Sequence, residues 1–248
     1  MNTEILKDIS YSELKGIKIT FINMPLREAA QPNTPPEGPG ILAAIVRRYG
    51  GEPYIIDLNG YRIKDKIAKQ RGLSNGRHLT YKEAEDMIAK HLDNVGEQDV
   101  FAFSGKITTL RWQEEVAKIV KRLQPDCFLV TGNGLATEIK RGLFTWIPEL
   151  DAIARSEGDG IIFDICKDGK LVKEKGITKA VNSGKLSSSY VGEILDKHRF
   201  IYEGFRPSNL DDIPYAAIDL LESDPYGYNI LEDYIKVPVW GTEANNSS

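Results

Sequence analysis

The chain has 248 residues, 41% hydrophobic and 27% charged, with a net charge of -4. That is the make-up of an ordinary globular protein, with no global basic field to draw nucleic acid. Its apolar runs are strand-length, short of the roughly 20 residues a membrane helix needs. The N-terminal stretch MNTEILKDISYSELK has no apolar signal region, so a cytoplasmic protein with neither nucleic acid nor membrane as partner is expected.

Residues 18–24 (KITFINM) form a short apolar run, a buried strand. The chain then wanders through prolines 25, 32, 35 and 36 before a helix begins, whereas a strand-to-helix loop usually takes about 2 to 6 residues. Apolar residues at 41, 42, 45, 46 and 49 have helical spacing over 36–49, and Gly50-Gly51 ends that helix. A second strand covers 52–58 (EPYIIDL), and the charged, glycine-interrupted 64–77 is a surface excursion. Thr80 caps the helix TYKEAEDMIAKHLDNVG, with Glu83 placed for a capping box and Gly96 as its stop. The third strand is 99–104 (DVFAFS). An amphipathic helix over 109–123 ends at Pro125, and the fourth strand is 126–131 (DCFLVT). A helix starts at Ala136, Pro148 marks a turn, and 151–155 (DAIAR) is the fifth strand.

Strands alternating with helices at this spacing predict βαβ units with right-handed crossovers. The expected fold is a doubly wound α/β domain, flavodoxin-like or Rossmann-like, on a five-stranded parallel sheet over residues 1–165. After Gly160 the pattern changes. Residues 161–176 (IIFDICKDGKLVKEKG) read as a hairpin around Asp168-Gly169. Residues 182–199 read as a small polar linker running into a short helix. Residues 166–248 are thus expected to be a hairpin and helical linker extension, too thin in apolar residues to form a core alone.

Cys127 and Cys166 sit in apolar, strand-like contexts and are expected to be buried thiols. His78, His91 and His198 lie apart and are expected on the surface. In an open parallel sheet, ligands bind beyond the carboxyl ends of the strands. The sequence there reads NMPLREAAQPNTPPEG, SGKITT, GNGLAT and SEGDG. Glycines admit a ligand to the backbone, and small hydroxyl residues offer hydrogen bonds without filling space. Taken singly, each glycine serves a tight turn equally well. No GxGxxG follows the first strand, no GKS or GKT occurs, and there is neither GxSxG nor a Ser-His-Asp set among strand-end residues.

The order of these segments carries a resemblance. PPEGPGILAAIVRRYGGEPYIIDLN, then FSGKITT, LVTGNGLAT, DAIARSEGDG and NLDDIPYAAIDLL together resemble the cobalamin-binding domain that precedes the barrel of B12-dependent radical SAM enzymes, and the match covers most of the chain. The resemblance implies a corrin lying across the strand ends, with its nucleotide tail dropping beside the fourth strand. Gly132 and Gly134 match the paired glycines that leave room for the tail, with Thr131, Asn133 and Ala136 lining the slot. Ser104 matches a hydroxyl position that bonds the tail, beside Gly105. Glu157 and Gly158, with Asp159, match the turn facing the tail's base. The first loop, with Asn23, Met24, Pro25, Leu26, Pro36 and Gly38, would follow the corrin rim.

Two departures from the family pattern shape the expected function. No DxHxxG is present, so the cobalamin is expected base-off, with the cobalt held by the corrin and no protein histidine ligand predicted. Its lower face would meet Lys106, Ile107, Thr108, Thr109, Leu110 or the first loop. No CxxxCxxC is present either. The [4Fe–4S] cluster and SAM are therefore expected in a radical SAM barrel, either removed from this chain or supplied in trans. The complete enzyme is expected to be a methyltransferase that moves a methyl group from SAM through cobalt to an unactivated carbon or to phosphorus. Ile213, Tyr215, Leu220, Leu221, Tyr226 and Tyr228 would either drive homodimerisation or pack back on the sheet. The alternative is a stand-alone flavodoxin-like regulatory or nucleotide-binding domain. Mg²⁺ at Glu157 and Asp159, as in response regulators, is a minor variant of that alternative.

Overall fold

The computed structural model describes residues 11–25, 35–61, 79–187, 191–196 and 199–221. Among the described residues seven strands form one sheet: β1 (Lys18–Asn23), β2 (Glu52–Asp57), β3 (Val100–Ser104), β4 (Phe128–Gly132), β5 (Ala152–Arg155), β6 (Val191–Asp196) and β7 (Arg199–Glu203), in the order β2-β1-β3-β4-β5-β7-β6. All neighbours run parallel except β6 and β7, which are antiparallel. The first five strands follow the 2-1-3-4-5 order of flavodoxin-like sheets, whose switch point lies between β1 and β3.

Both faces of the sheet are covered. The strands therefore read as near-continuous apolar runs, and the alternation of side chains sorts them into two cores. Ile19, Phe21, Ala102, Val130 and Ala154 face α1 (Glu37–Arg48), α6 (Ile162–Lys175) and α7 (Ile177–Asn182). Ile22, Phe101, Phe103, Leu129 and Ile153 face α2 (Tyr81–Val95), α3 (Leu110–Leu123), α4 (Gly134–Ile139) and α5 (Leu143–Trp146). The local signals hold. Thr80 and Glu83 form the capping box of α2, and Gly50 and Gly96 take positive φ where α1 and α2 end. Cys127 and Cys166 are buried, and desolvation pushes the Cys127 thiol up to about 12. Among the described residues no helix is long and apolar enough to cross a membrane.

Four expectations need correction. The sheet has seven strands, six of them mutually parallel, rather than five. Residues 161–176 are not a hairpin: Ile162, Ile165, Gly169 and Val172 recur at helical spacing and turn toward the sheet as one face of α6. The boundary expected after Ile165 thus falls inside a helix. Where a short helix was expected after the linker, β6 and β7 form an antiparallel pair, and β7 adds to β5 in parallel. Phe200 and Tyr202 enter one core and Ile201 the other, which ties this segment to the sheet. Finally, His91 is half-buried rather than a surface group. Its Nε2 lies 2.8 Å from Thr20 Oγ1, whose hydroxyl donates to Gln98 Oε1 at 3.0 Å, and burial lowers its pKa. His78, His198, Leu26 and the 64–77 excursion lie outside the described residues.

The extension beyond β7 packs back on the domain. Ile213, Leu220 and Ala217 join the α1-side core, and Leu221 is buried, while Tyr215 is 99% exposed. Tyr226 and Tyr228 lie outside the described residues. Ala217 N donates to Gly40 O at 2.9 Å, and Arg47 grips Asp219 through two hydrogen bonds of 2.6 and 2.9 Å. Residues 204–221 thereby form a strap that meets α1 near both of its ends, at Gly40 and at Arg47.

Gly169 brings α6 close against the sheet: a Cβ there would collide with Val100 Cγ2 and lie 3.2 Å from Phe128 Cβ. Both are stiff parts of the core. Alanine would gain about 1 kcal/mol of helix propensity over glycine, but overpacking of this kind costs typically about 1–3 kcal/mol. Gly169→Ala is therefore expected to lower the free energy of unfolding in a denaturant titration. An unchanged or raised midpoint would show that α6 does not sit this close to β3 and β4.

Candidate functional site

A cleft of about 520 Å³ opens at the carboxyl ends of β1, β3, β4 and β5, on the face covered by α1 and α6. Its origin is readable from the strand register. Phe21, Ala102 and Val130 stand in one row, and Asn23, Ser104 and Gly132 in the next. Two steps along a parallel pair return to the same face. The inner row is thus Phe–Ala–Val, and the outer row ends in glycine beside Ala154. Small residues on β3, β4 and β5 leave a gap that Ile162 and Ile165 of α6 and Ile41 and Leu42 of α1 border without filling. The floor is apolar and buried: Phe21 3%, Ala102 8%, Val130 3% and Ala154 8% exposed.

The mouth has the opposite character. Ser104, Asn133, Thr137, Glu138, Ser156, Glu157 and Asp159 line it, all half-buried or exposed. None of the described lining residues is Lys, Arg or His. Backbone strain gathers here too. Among the described residues three non-glycines have positive φ, and two of them, Asn133 and Ser156, line the cleft. Asn133 (φ 75, ψ -170) occupies a region that glycine alone enters readily, at a cost of order 1–3 kcal/mol. Its side chain holds it there: Oδ1 accepts from Gly134 N, and Nδ2 donates to Ser104 Oγ at 3.0 Å. Thr137 Oγ1 donates to Asn133 O at 3.2 Å and accepts from Ser156 N at 3.0 Å, tying the β4 and β5 ends together.

Glycines at the mouth divide into two kinds. A Cβ on Gly38 or Gly134 would meet nothing within 4 Å among the described residues, and neither has positive φ, so no described turn or neighbour requires glycine there. A Cβ on Gly132 would make ordinary contact with Ala154 at 3.7 Å. Gly105, by contrast, is demanded by packing, because a Cβ would collide with the Gln113 side chain. The turn after β5 is clamped from outside. Phe205 lies against Gly160 so closely that no Cβ fits, and Gly204 N donates to Arg155 O at 2.8 Å. The strap that leaves Gly204 reaches α1 at Gly40, so it spans both walls of the cleft.

Of the residues expected in the site, Gly38, Ser104, Gly132, Asn133, Gly134, Glu157, Gly158 and Asp159 line the cleft. Pro36 precedes α1 close by. Thr131 does not line it: one residue out of step with Gly132, it faces the opposite side, where its hydroxyl donates to Gln113 Oε1 at 3.0 Å. Gln113 Nε2 in turn donates to Thr109 Oγ1 at 3.1 Å. Thr131 and Thr109 are therefore parts of a buried network under the β3 turn. Ala136 and Met24 pack in the α2–α3 core, and Pro25 is buried. Asn23 Nδ2 donates to Asp57 Oδ1 at 2.8 Å, toward β2. Lys106, Ile107 and Thr108 are exposed on the rim beyond β3, with Ile107 62% exposed, and Leu110 opens α3. The floor residues Phe21, Ala102, Val130 and Ala154 went unrecognised in the sequence. Their signal was small residues on neighbouring strands, Ala102 in β3, Gly132 in β4 and Ala154 in β5, which leave room at the strand ends.

Burial, and then the neighbouring Glu157, raise the Asp159 carboxyl above the ordinary carboxylate range. The folded protein therefore holds this proton more tightly than the unfolded chain does. The ionised group costs nothing below the unfolded value of about 3.9, and stability is lost as pH rises from there through the folded value. Asp159→Asn is expected to raise stability at neutral pH, with the gain vanishing near pH 3, below that unfolded value. Denaturant titrations at the two pH values check this, and an equal gain at both would show that ionisation is not its source.

No protein-family model matches the sequence, and no curated protein matches it at a significant level.

Proposed function

We propose that the chain binds cobalamin, base-off and without a histidine ligand, as the B12-binding part of a B12-dependent radical SAM enzyme of the methyltransferase kind. One observation carries this reading: a cleft with an apolar floor lies beside the end of β4, opening onto the strand-end rim, and glycines stand at its mouth where no described neighbour requires them. About 520 Å³ is within the usual range of ligand pockets, about 300 to 1,000 Å³. It has room for a flat bicyclic base and its ribose, but not for a macrocycle as well. A corrinoid divides in this way, with the tail in the cleft and the ring on the rim.

The residues fit such a group. Phe21, Ala102, Val130 and Ala154 would contact the base, and the glycines at 132 and 134 would let it pass. Ser104, Asn133 and Asp159 would bond the ribose, and the exposed Ile107 beyond β3 would face the ring. When bound, the corrin supplies a cobalt centre that accepts and releases a methyl group. No described imidazole stands at the cleft, since His91 belongs to the opposite face of the sheet. The [4Fe–4S] cluster and SAM belong to a barrel in cis or in trans, because Cys127 and Cys166 are two buried thiols and no CxxxCxxC occurs. The alternative, a nucleotide-binding or regulatory domain, is disfavoured by the charge at the mouth. Glu138, Glu157 and Asp159 stand at the mouth with no cation among the described lining residues; they oppose the two or three phosphates of a free nucleotide more strongly than the single phosphodiester charge of a corrinoid tail.

Gly134→Leu adds a side chain at a position that lines the cleft and has no neighbour within reach of a Cβ among the described residues. In an equilibrium titration with hydroxocobalamin, affinity is expected to fall by about tenfold or more, equivalent to ~1.4 kcal/mol, with the thermal unfolding curve unchanged. Equal affinity of the variant and the parent protein would remove the cleft from the binding site.

A further inference from the structure

The walls of the cleft discriminate by polarity. Every side chain at its floor is hydrocarbon: Phe21 and Ala102 on the sheet, Val130 and Ala154 beside them, and Ile162 and Ile165 from α6. The hydroxyls, the amide and the carboxylates are confined to the mouth. A group that reaches the floor finds dispersion contacts but no side-chain hydrogen-bond partner. A buried polar group without a partner costs about 1–3 kcal/mol, and a site lined only by hydrocarbon rewards shape alone.

We infer that this floor makes the protein selective for the lower base of its corrinoid, taking a benzimidazole-type base and discriminating against a purine-type base. The inference rests on the corrinoid reading. Dimethylbenzimidazole presents an apolar edge with two methyl groups to the floor. Its free ring nitrogen sits on the five-membered ring near the ribose, within reach of the polar mouth. Adenine carries an exocyclic amine and further ring nitrogens on the six-membered ring, the part that enters deepest. Those groups exchange water for Ala102, Val130 and Ile165. The half-buried Asp159 cannot compensate, because it stands with Glu157 in the turn after β5, at the mouth. The specificity-determining residues are therefore the small and branched floor residues Ala102, Val130 and Ala154, and the selection works by withholding partners.

The full chain is titrated with three corrinoids: cobalamin, its analogue with adenine in place of dimethylbenzimidazole, and cobinamide, which has no base. Cobalamin is expected to bind at least about tenfold tighter than the adenine analogue, the effect of one or two unpaired polar groups. Ala102→Ser adds a hydroxyl to the floor and is expected to narrow that ratio. Equal affinity for the two complete corrinoids, both tighter than cobinamide, would overturn the selectivity while leaving the tail in the cleft. Equal affinity for all three would overturn it by showing that the tail does not enter. Failure to bind any of them would overturn the corrinoid reading itself, and the selectivity with it.

Discussion

The gap between the ends of β3, β4 and β5 and the helices α1 and α6 is the constraint around which the rest is arranged. Interiors close-pack, and a void loses the dispersion contacts of its lining. A cleft with an alanine, valine and alanine floor persists only if the surrounding frame cannot collapse into it. Here the frame is stiff. Gly169 brings α6 hard against β3 and β4 at one end, and the Gln113 network fixes the β3 turn behind the floor. The strap locks the β5 turn through Phe205 and Gly204, then crosses to α1 at Gly40. The glycines that permit these contacts hold the walls apart at fixed positions. The glycines at 38 and 134 leave the entrance clear.

This division explains how one residue type served two ends that the sequence alone did not separate. GNG after the fourth strand read equally as a turn or as an opening. In the fold the strain of the turn falls on Asn133, not on either glycine. The same ambiguity misled the reading of Asp168-Gly169. There the glycine is a packing device in mid-helix, and Asp168 accepts from Tyr202 and from Ser187 N, holding the β7 strand and the chain before β6 against α6.

The parallel architecture, the capping box at Thr80, the stops at Gly50 and Gly96 and the rim that bears the cleft were all legible, because each is written in local spacing. What escaped was tertiary. The β7 strand carries apolar residues on both faces, Phe200 and Tyr202 against Ile201, within a stretch too short and too polar at its flanks to stand out. Thr131 was assigned to the wrong side, although the two-residue period of a strand separates it from Gly132. The floor is assembled from single residues on separate strands, and no window along the chain contains more than one of them. The acidic mouth was visible as SEGDG, but its meaning depends on the cleft beneath it.

A corrinoid reading makes one demand on this arrangement that simpler ligands do not. The group must divide between a buried tail and a ring resting on the rim, and its cobalt must be free of both its own base and of imidazole. Mixing the purified chain with hydroxocobalamin, desalting, and recording the visible spectrum addresses that demand directly. The expected result is a retained chromophore with the band position of a base-off, histidine-free corrinoid. A colourless protein that is folded by circular dichroism, or a retained base-on or histidine-ligated spectrum, would contradict it.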